Sequence, residues 1–347
     1  MAYTTINKSS DYFNTKLWTG NGSTQSITGV GFQPDFLWFK NRDETQWHQI
    51  YDVIRGIGST SYYLSSNTTN AEASTTNSLT GVSSDGFSLG NNTGVNGSAD
   101  NIVAWNWLAD NTTGSSNTDG SITSTVSANT TAGFSIVSYT GNATAGATVG
   151  HGLGVAPKMV IVKTLAQTNN WTVYHESIGA TKHLHLNTAD AESTATNTFN
   201  DTAPTSSVFT LGSGTETNAS GNMIAYCFAE IPGYSKFGSY TGNGNADGPF
   251  IYTGFKPAFV IYKNIDTGYY WKLIDNKTNT GNGNEGAYTH PNTTDYVNSS
   301  SLYDDFYSNG FKIRNTNVTG NGSGLNYIYM AFGQSLVGSN NVPCTAR

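Results

Sequence analysis

Short apolar runs bounded by turn residues recur along the chain and predict β-strands. The segment 34–40 reads PDFLWFK, an apolar run between polar turns that is typical of a strand buried on both faces. Asp-Gly or Asn-Gly steps within 83–90 and 307–314 precede further short strands and are hairpin-type signals. No stretch sustains the 3.6-residue apolar period of a helix. The pattern therefore predicts short antiparallel strands with a turn about every ten residues.

This pattern recurs three times along the chain. Each copy has a Gly-Asn turn, then a proline followed six residues later by a lysine, and it ends in an aromatic strand. The turns lie at 18–22, 139–143 and 240–244, and the closing strands lie at 101–107, 222–228 and 326–332. The prolines and lysines are Pro34 and Lys40, Pro157 and Lys163, and Pro257 and Lys263. A spacing of about 110 residues makes each copy a whole domain and not a solenoid repeat.

These observations predict an all-β fold of three tandem homologous antiparallel β-sandwich domains, jelly-roll or lectin-like in type. About 100 residues suffice to bury one two-sheet core. The predicted sandwich repeats, called units one, two and three below, occupy residues 1–111, 132–230 and 231–338. A polar linker at 112–131 joins the first two, and residues 339–347 form a C-terminal tail. Because only a short segment separates units two and three, we expect these two to pack rigidly together.

Composition changes this picture little, but it excludes several classes of protein. Hydrophobic residues make up 36% of the chain and charged residues only 11%, yet aromatic residues reach 12%, which argues against disorder. A net charge of −7 without a Lys/Arg patch argues against nucleic-acid binding. The apolar runs are too short for a membrane span or for the core of a signal peptide. Two cysteines, Cys227 and Cys344, give no disulfide framework, so assembly in a reducing cytoplasm is expected.

Residue types kept in all three units are most simply requirements of the fold. Besides the prolines and lysines, they include an indole and an acid four or five residues later: Trp47 and Asp52, Trp171 and Glu176, and Trp271 and Asp275. We expect the recurring lysine to pair with the recurring acid, an interaction that usually contributes little to stability. None of these residues is predicted to carry the function.

Places where the units differ are the candidates for function. Tyr62 and Tyr63 of unit one stand where unit two has a Lys-His pair, and Tyr269 and Tyr270 stand directly before the indole of unit three. Tyrosines beside Asn and Asp are typical of sugar-binding surfaces, because the ring face stacks on C–H groups while amides bond hydroxyls. The four tyrosines are therefore predicted to bind a glycan. The alternative is that they cover sheet faces.

Signals for catalysis or metal binding are weaker. His183 and His185 lie two apart on a predicted strand and share a face, as two metal ligands would. The sequence offers no third ligand, so neither a metal site nor a cofactor is predicted. Segment 242–248 reads GNGNADG, and its oxygens could coordinate Ca²⁺, an alternative that the sequence leaves open. No residue is predicted to be catalytic, and the chain is not expected to be an enzyme.

Several phrases of the sequence together resemble a known family. They include WTGNGSTQSITGVGFQPDFLWFKNR, DNIVAWNWLAD, VGHGLGVAPKMVIVK and AYCFAEIPGYSKFGSYTGNG, in a set that runs from MAYTTI to VPCTAR. The family comprises repetitive proteins of tailed bacteriophages, especially marine ones, described as virion structural or tail-fibre-like proteins. The resemblance covers essentially the whole chain. It implies a place in a virion and contact with a host surface, and it carries over no catalytic residue.

The expected function is that of a non-enzymatic virion structural protein exposed on the particle, as a tail fibre or a capsid-decorating protein. One alternative is a lectin-like receptor-binding protein, and another is a polysaccharide-degrading tail enzyme, which would need paired carboxylates facing a cleft. The expected partners are other virion proteins, a host surface glycan and, by analogy with three-fold particle sites, further copies of the chain in a homotrimer. Neither a nucleic-acid nor a membrane partner is expected. The expected location is the virion, after assembly in the host cytoplasm.

Overall fold

The computed structural model describes residues 4–278, 282, 286–299, 304–335 and 337. In these ranges the regular structure is almost entirely β-strand, with three four-residue helices and a 3-10 turn at Ser9–Asp11. The all-β prediction is therefore confirmed. The predicted tail at 339–347 lies outside the described residues. Within them, no helix is long and apolar enough to cross a membrane.

The strands and helices follow the three units in chain order. In unit one they are β1 Phe13–Thr19, β2 Gln25–Thr28, β3 Phe36–Asn41, β4 Gln49–Asp52, β5 Ser61–Tyr63, β6 Ala73–Thr75, β7 Leu79–Ser83, β8 Gly86–Leu89, α1 Thr93–Asn96 and β9 Asn101–Trp107. Next come β10 Ser115–Asn117, β11 Ser124–Asn129, β12 Phe134–Gly141, β13 Thr148–Gly150, β14 Met159–Thr164, β15 Thr172–His175, β16 Lys182–His185, β17 Ser193–Thr194, α2 Thr196–Phe199, β18 Val208–Thr210, α3 Thr215–Asn218 and β19 Gly221–Phe228. Unit three has β20 Ser235–Thr241, β21 Phe250–Tyr252, β22 Lys256–Asn264, β23 Lys272–Asp275, β24 Ala287–Tyr288, β25 Asn298–Ser299, β26 Asp304–Tyr307, β27 Gly310–Ile313 and β28 Asn326–Gln334.

Each unit contains a larger antiparallel sheet and a smaller one packed against it. The larger sheets have the strand orders β1-β9-β3-β4, β12-β19-β14-β15 and β20-β28-β22-β23, so the order is the same in all three units. The smaller sheets are β2-β8-β7, β13-β18 and β21-β27-β26. In unit two, β11 and β10 extend the larger sheet at one edge, and β16 and β17 extend it at the other.

The segment 112–131, predicted as a polar linker, contains two of these strands. β10 pairs with β11, and β11 pairs in turn with β12 of unit two. Along β11, Ser124 and Val126 are buried while Thr125 between them is exposed. The polar composition of this segment therefore reflects strands with one solvated face, and not a free linker.

Alternate residues of the central strand in each larger sheet point to two different cores. In β9, Ile102 and Ala104 fill the interior between the two sheets of unit one, whereas Val103, Trp105 and Trp107 point to the opposite side. The same division holds in β19 and β28. Because successive side chains of a strand point to opposite faces, each larger sheet is buried on both faces.

The second face of every larger sheet belongs to one core shared by all three units. Trp107 lies in this shared core with ring centroids 4.6 to 6.4 Å from those of six phenylalanines, two per unit: Phe13, Phe36, Phe134, Phe228, Phe259 and Phe332. The sequence predicted rigid packing for units two and three alone. The shared aromatic core extends that packing to unit one.

The recurring Gly-Asn turn is held by a buried asparagine in every unit. The side-chain oxygens of these asparagines accept the backbone N–H of the turn asparagine: Asn96 from Asn21 at 3.1 Å, Asn218 from Asn142 at 2.8 Å and Asn321 from Asn243 at 2.8 Å. Glycine precedes the turn asparagine because a Cβ at Gly20 would lie 2.1 Å from the carbonyl oxygen of Gly97. The repeated turn is thus a requirement of the fold.

Candidate functional site

The ladder registers show which positions of the three units are equivalent. Opposite one another lie Phe36 and Asp52 in unit one, Met159 and His175 in unit two, and Phe259 and Asp275 in unit three. Counting back four residues makes His48 the counterpart of Trp171 and Trp271. The alignment of Trp47 with these two indoles is therefore wrong by one residue, and the Trp47 side chain is 46% exposed. Likewise, His175 and not Glu176 is the counterpart of the two aspartates.

His48, Trp171 and Trp271 occupy equivalent positions, and a ring nitrogen of each contacts a different unit. Three contacts of this kind lead from a ring nitrogen to a backbone carbonyl: Trp171 Nε1 to Ser65 O at 3.0 Å, Trp271 Nε1 to His185 O at 2.9 Å, and His48 Nε2 to His290 O at 3.2 Å. Unit two thus contacts unit one, unit three contacts unit two, and unit one contacts unit three. The three contacts close a ring.

The repeated lysines form a second set of contacts around the same ring. Each Nζ donates to a carbonyl of a neighbouring unit: Lys163 to Thr69 O at 3.1 Å, Lys263 to Ala189 O at 3.1 Å, and Lys40 to Thr294 O at 2.9 Å. The predicted pairing of this lysine with the recurring acid is wrong. Among the described residues, Asp52 instead forms an ion pair with Arg55, at 2.5 Å, and Glu176 pairs with Lys158.

Burial lowers the pKa of each of these lysines, Lys40, Lys163 and Lys263, to about 8. A carbonyl oxygen carries only a partial negative charge, so the ammonium group loses hydration without gaining a full counter-charge. Asp295 near Lys40 and Asp190 near Lys263 oppose this lowering of the pKa. The three lysines are therefore mostly charged at neutral pH, and their burial has an electrostatic cost.

Backbone hydrogen bonds form a third set of contacts that joins the three units in a ring. The amides donate to carbonyls in the neighbouring unit: Glu72 N to Leu165 O at 2.8 Å, Glu192 N to Ile265 O at 2.9 Å, and Val297 N to Arg42 O at 3.0 Å. Near the chain ends, Ser9 N also donates to Gln334 Oε1 at 2.7 Å. Unit one is thereby joined to unit three across more than 300 positions of sequence.

The buried position of Asp52, His175 and Asp275 also connects the units. Asp52 Oδ2 accepts from Tyr226 Oη at 2.8 Å, and Asp275 Oδ2 accepts from Trp105 Nε1 at 3.1 Å. Tyr226 of unit two and Trp105 of unit one, the two donors, occupy equivalent ladder positions. Unit three has Met330 at this position, and a methionine side chain has no hydrogen to donate. Unit two accordingly has a histidine here, and His175 Nε2 lies 3.1 Å from the carbonyl of Tyr329. The departure from the repeat follows from the missing donor.

The four tyrosines predicted to bind a glycan lie at two places in the fold. Tyr62 and Tyr63 are on β5, and the Tyr63 ring packs on Tyr51 at 5.9 Å. Tyr269 and Tyr270 precede β23, and the Tyr270 ring lies 5.2 Å from that of His290. All but Tyr63 are exposed. No ring contact within the described ranges joins the two pairs, and their binding of a glycan stays a prediction.

An exposed aromatic cluster that the sequence reading missed lies on the small sheet of unit three. We call Phe250, Tyr252 and Tyr307 the aromatic platform; these side chains are 45%, 60% and 40% exposed. Tyr252 and Tyr307 lie on either side of Gly310 in the ladders, and the Phe250 ring is 5.8 Å from that of Tyr307. Strand alternation gives the signal, because Ile251 between the two β21 aromatics faces the core.

Charged groups border the aromatic platform. Lys312 Nζ lies 2.6 Å from Asp247 Oδ1, and Arg314 Nε lies 3.4 Å from Asp305 Oδ2. The ladder positions of Phe250 and Tyr252 correspond in unit one to Ser26 and Thr28, and in unit two to Thr148 and Gly150. The platform is therefore peculiar to unit three among the described small sheets. Asp247 is the acidic residue of the segment 242–248, whose oxygens could coordinate Ca²⁺. Its carboxylate is paired with Lys312.

Unit two carries a cluster of two histidines and a glutamate. Leu184 points into the shared core, so His183 and His185 on either side of it point away, toward α3. His185 Nε2 lies 3.1 Å from Glu216 Oε2, and the two imidazole rings are 4.9 Å apart. One donor atom from each of the three side chains lies within 4.8 Å of the others. Glu216 thus supplies the third potential metal-binding side chain, which the sequence does not reveal because it comes from a distant helix.

Neighbouring side chains orient the carboxylate of this cluster. Asn170 Nδ2 donates to Glu216 Oε1 at 3.0 Å, and Thr172 Oγ1 donates to Glu216 Oε2 at 3.1 Å. Burial alone would raise the pKa of Glu216, but these bonds together with His185 lower it to about 2. Burial and the charge of His185 lower the pKa of His183. At neutral pH the cluster therefore holds an ionised carboxylate beside a neutral His183.

Fold and contacts together define an all-β protein whose repeated polar residues close three units into a ring. The chain belongs to the family described as a domain of unknown function, DUF7483, which matches residues 8–335. The matched range runs through all three units, so the family model corresponds to the three units together and not to a single unit. No curated protein and no solved structure matches the chain.

Proposed function

We propose that this chain is a non-enzymatic structural protein of a tailed-bacteriophage virion, exposed on the particle as a tail fibre or a capsid-decorating protein. We further read the three sheet pairs as three tandem β-sandwich domains. The observation that supports this role is the use of the repeated polar residues. Lysines, ring nitrogens and buried acids, which in an enzyme would be candidates for catalysis, here serve contacts between units.

Rigidity follows from this arrangement. Each larger sheet is buried on both faces, and every unit is held by the other two. Local opening of one unit would expose apolar surface of the shared core, so partial unfolding is costly. Outside the cores, Asn, Ser, Thr and Gly predominate, and such a surface is well hydrated and weakly charged. A rigid body with a hydrated surface suits a particle that leaves its host and meets proteases.

The ring also bears on the proposed assembly. One chain already presents three similar units around a common core, so a single copy offers a partner three roughly equivalent faces. We propose that this matches three-fold sites on a tail or capsid. Light scattering of the purified protein tests the homotrimer predicted from the sequence, and a clean monomer at micromolar concentration would count against the fibre version.

The decisive experiment is to locate the chain in intact particles. Virions reconstructed by electron cryomicroscopy, with antibody-labelled particles as a check, are expected to show copies of this ring on the outer surface of tail or capsid. Purified particles that lack the chain by mass spectrometry would refute the proposal. Release of new reducing ends from host envelope polysaccharide would instead support the tail-enzyme alternative.

A second candidate function, carbohydrate binding, is favoured by the aromatic platform. Three exposed aromatic rings on one small sheet, bordered by Lys312 and Asp305, combine faces for C–H stacking with groups that hydrogen-bond hydroxyls. The platform is confined to one unit, as expected of a feature added to a repeated scaffold. We propose that it contributes to attachment to a host surface glycan.

Two sets of variants separate the platform from the predicted tyrosines. One set replaces Phe250, Tyr252 and Tyr307 by Ser, and the other replaces Tyr62, Tyr269 and Tyr270 by Ser. On a glycan microarray, we expect the first set to lose wild-type signals at least tenfold and the second to retain them. The reverse result would assign binding to the predicted tyrosines. If neither set changes the signals, or the wild-type protein gives none, carbohydrate binding is abandoned.

A further inference from the structure

We propose that His183, His185 and Glu216 bind one divalent first-row transition cation, for which Zn²⁺ is the best match. The proposal rests on the geometry of unit two and does not depend on a place in the virion. Two imidazoles and one carboxylate present donor atoms within 4.8 Å of one another. Such a set supplies three protein ligands and leaves a further coordination position for water.

A second observation points to a missing ligand. His183 is 5% exposed, and its Nδ1 atom is buried with no hydrogen-bond partner in the described part of the chain. A buried polar atom without a partner is uncommon, because it has lost its bond to water and gained nothing in return. Binding a cation through His183 Nδ1 would offset this cost and fix the orientation of the imidazole.

The spacing of the donors is close to what a metal requires. Zn–N and Zn–O distances of about 2.0–2.2 Å place tetrahedral donors roughly 3.3–3.6 Å apart. His185 Nε2 and Glu216 Oε2, at 3.1 Å, are already near this separation. A separation of 4.8 Å, the widest in the cluster, must shrink by roughly 1.2–1.5 Å to reach this range, which rotations about the side-chain torsions of the partly exposed His185 and Glu216 can supply.

The donor types select the class of cation. Imidazole nitrogen suits Zn²⁺, Co²⁺, Ni²⁺ and Cu²⁺, whereas Ca²⁺ and Mg²⁺ require oxygen ligands in larger number. Asn170 donates to Glu216 Oε1 and Thr172 to Glu216 Oε2, and hydrogen bonds of this kind commonly orient the carboxylate ligands of metal sites. Ca²⁺ and Mg²⁺ are therefore not expected to compete.

Only unit two is equipped in this way. The positions of His183, His185 and Glu216 correspond to Tyr63, Ser65 and Gly94 in unit one. Across the described ranges, no other three His, Cys, Asp or Glu side chains come as close together. We therefore expect one cation per chain.

A bound cation would also act on the ring. It would tie β16 to α3, and the backbone carbonyl of His185 accepts the indole N–H of Trp271 from unit three at 2.9 Å. Fixing His185 therefore stabilises a contact between two units. Because a ligand that binds only the folded state raises stability by mass action, the unfolding temperature is expected to rise with the logarithm of the Zn²⁺ concentration.

The test is metal binding by the full chain after chelator treatment and dialysis. Titration with Zn²⁺ by calorimetry, and with Co²⁺ followed by its visible absorption, is expected to saturate at one cation per chain. Glu216→Gln keeps a side chain that Asn170 and Thr172 can hold, and His183→Phe keeps the packing. Both variants are expected to lose at least tenfold in affinity. Glu176→Gln, a change at an exposed acid of the same unit, is the matched control and is expected to bind as the wild type does.

The outcomes decide the proposal without reference to any activity. Absence of saturable Zn²⁺ and Co²⁺ binding by the wild-type chain would overturn it. So would wild-type affinity in Glu216→Gln and His183→Phe, since the cation would then lie elsewhere. Far-UV circular dichroism of each variant shows whether it is folded, and the titration of the wild-type chain remains decisive if one is not.

Discussion

Replacing Trp107 by Ala tests whether one core serves all three units. The indole is 1% exposed and contacts phenylalanines from every unit, so its removal leaves a cavity that no single unit can close. Truncation of a buried Trp typically costs about 3–5 kcal/mol. Native domains are stable by only about 5–15 kcal/mol, so this change removes a large share of the total.

The expected signature is cooperative as well as large. Denaturant unfolding followed by far-UV circular dichroism and by tryptophan fluorescence should give one coincident transition, shifted to lower denaturant at an unchanged slope. Hydrogen exchange should show loss of protection in β9, β19 and β28 together, by roughly 10²- to 10⁴-fold. Trp47→Ala is the matched control, because that indole is 46% exposed, and it should change stability by less than about 0.5 kcal/mol.

One result would refute the reasoning. If Trp107→Ala produced two separate transitions in which only part of the circular dichroism signal moved, units two and three would be stable without unit one. The shared core would then be a contact surface between independent domains and not a common interior. A large loss of stability in the Trp47→Ala control would likewise contradict the register that places His48 in the ring.

Three further predictions concern the contacts that close the ring and the turns. Burial lowers the pKa of Lys163 from 10.5 to about 8, so between these values the unfolded chain binds more protons than the folded one. Wild-type stability relative to Lys163→Met should therefore rise with pH in this window, by up to about 1.4 kcal/mol per pH unit, and a constant difference in urea unfolding would contradict it. Tyr226→Phe removes a hydrogen bond to the buried Asp52 carboxylate and should cost about 1.5–3 kcal/mol in the same assay, where a loss below about 0.5 kcal/mol would count against the contact. Gly20→Ala should lower the free energy of unfolding by about 1–3 kcal/mol in thermal unfolding, because the added Cβ would meet the carbonyl oxygen of Gly97. Gly58→Ala, with nothing within 4 Å of its Cβ, should be nearly neutral, and equal effects of the two changes would contradict the prediction.

Some of the candidate sites could be read from the chain and some could not. The pair His183 and His185 is visible as a two-residue alternation, yet Glu216 comes from a helix about thirty residues away. The platform was within reach, since Phe250 and Tyr252 alternate with a core residue on one strand. The third ring, Tyr307, joins them only through the ladder pairing on either side of Gly310, which the sequence does not reveal.

Sequence alone determined the repeated unit. Strand identity, the Gly-Asn turn and the alternation in closing strands such as 101–107 are local properties, set by backbone geometry and by the period of two. The tertiary structure decided what the repeats are for. A buried lysine that binds a carbonyl leaves no matching side chain in the sequence to reveal its partner, and therefore Lys40, Lys163 and Lys263 looked like members of ion pairs within their own units. Closure of the ring likewise depends on contacts between residues far apart in sequence. The sequence of an aromatic strand does not show whether its second face is covered by solvent, by another protein or by the other two units.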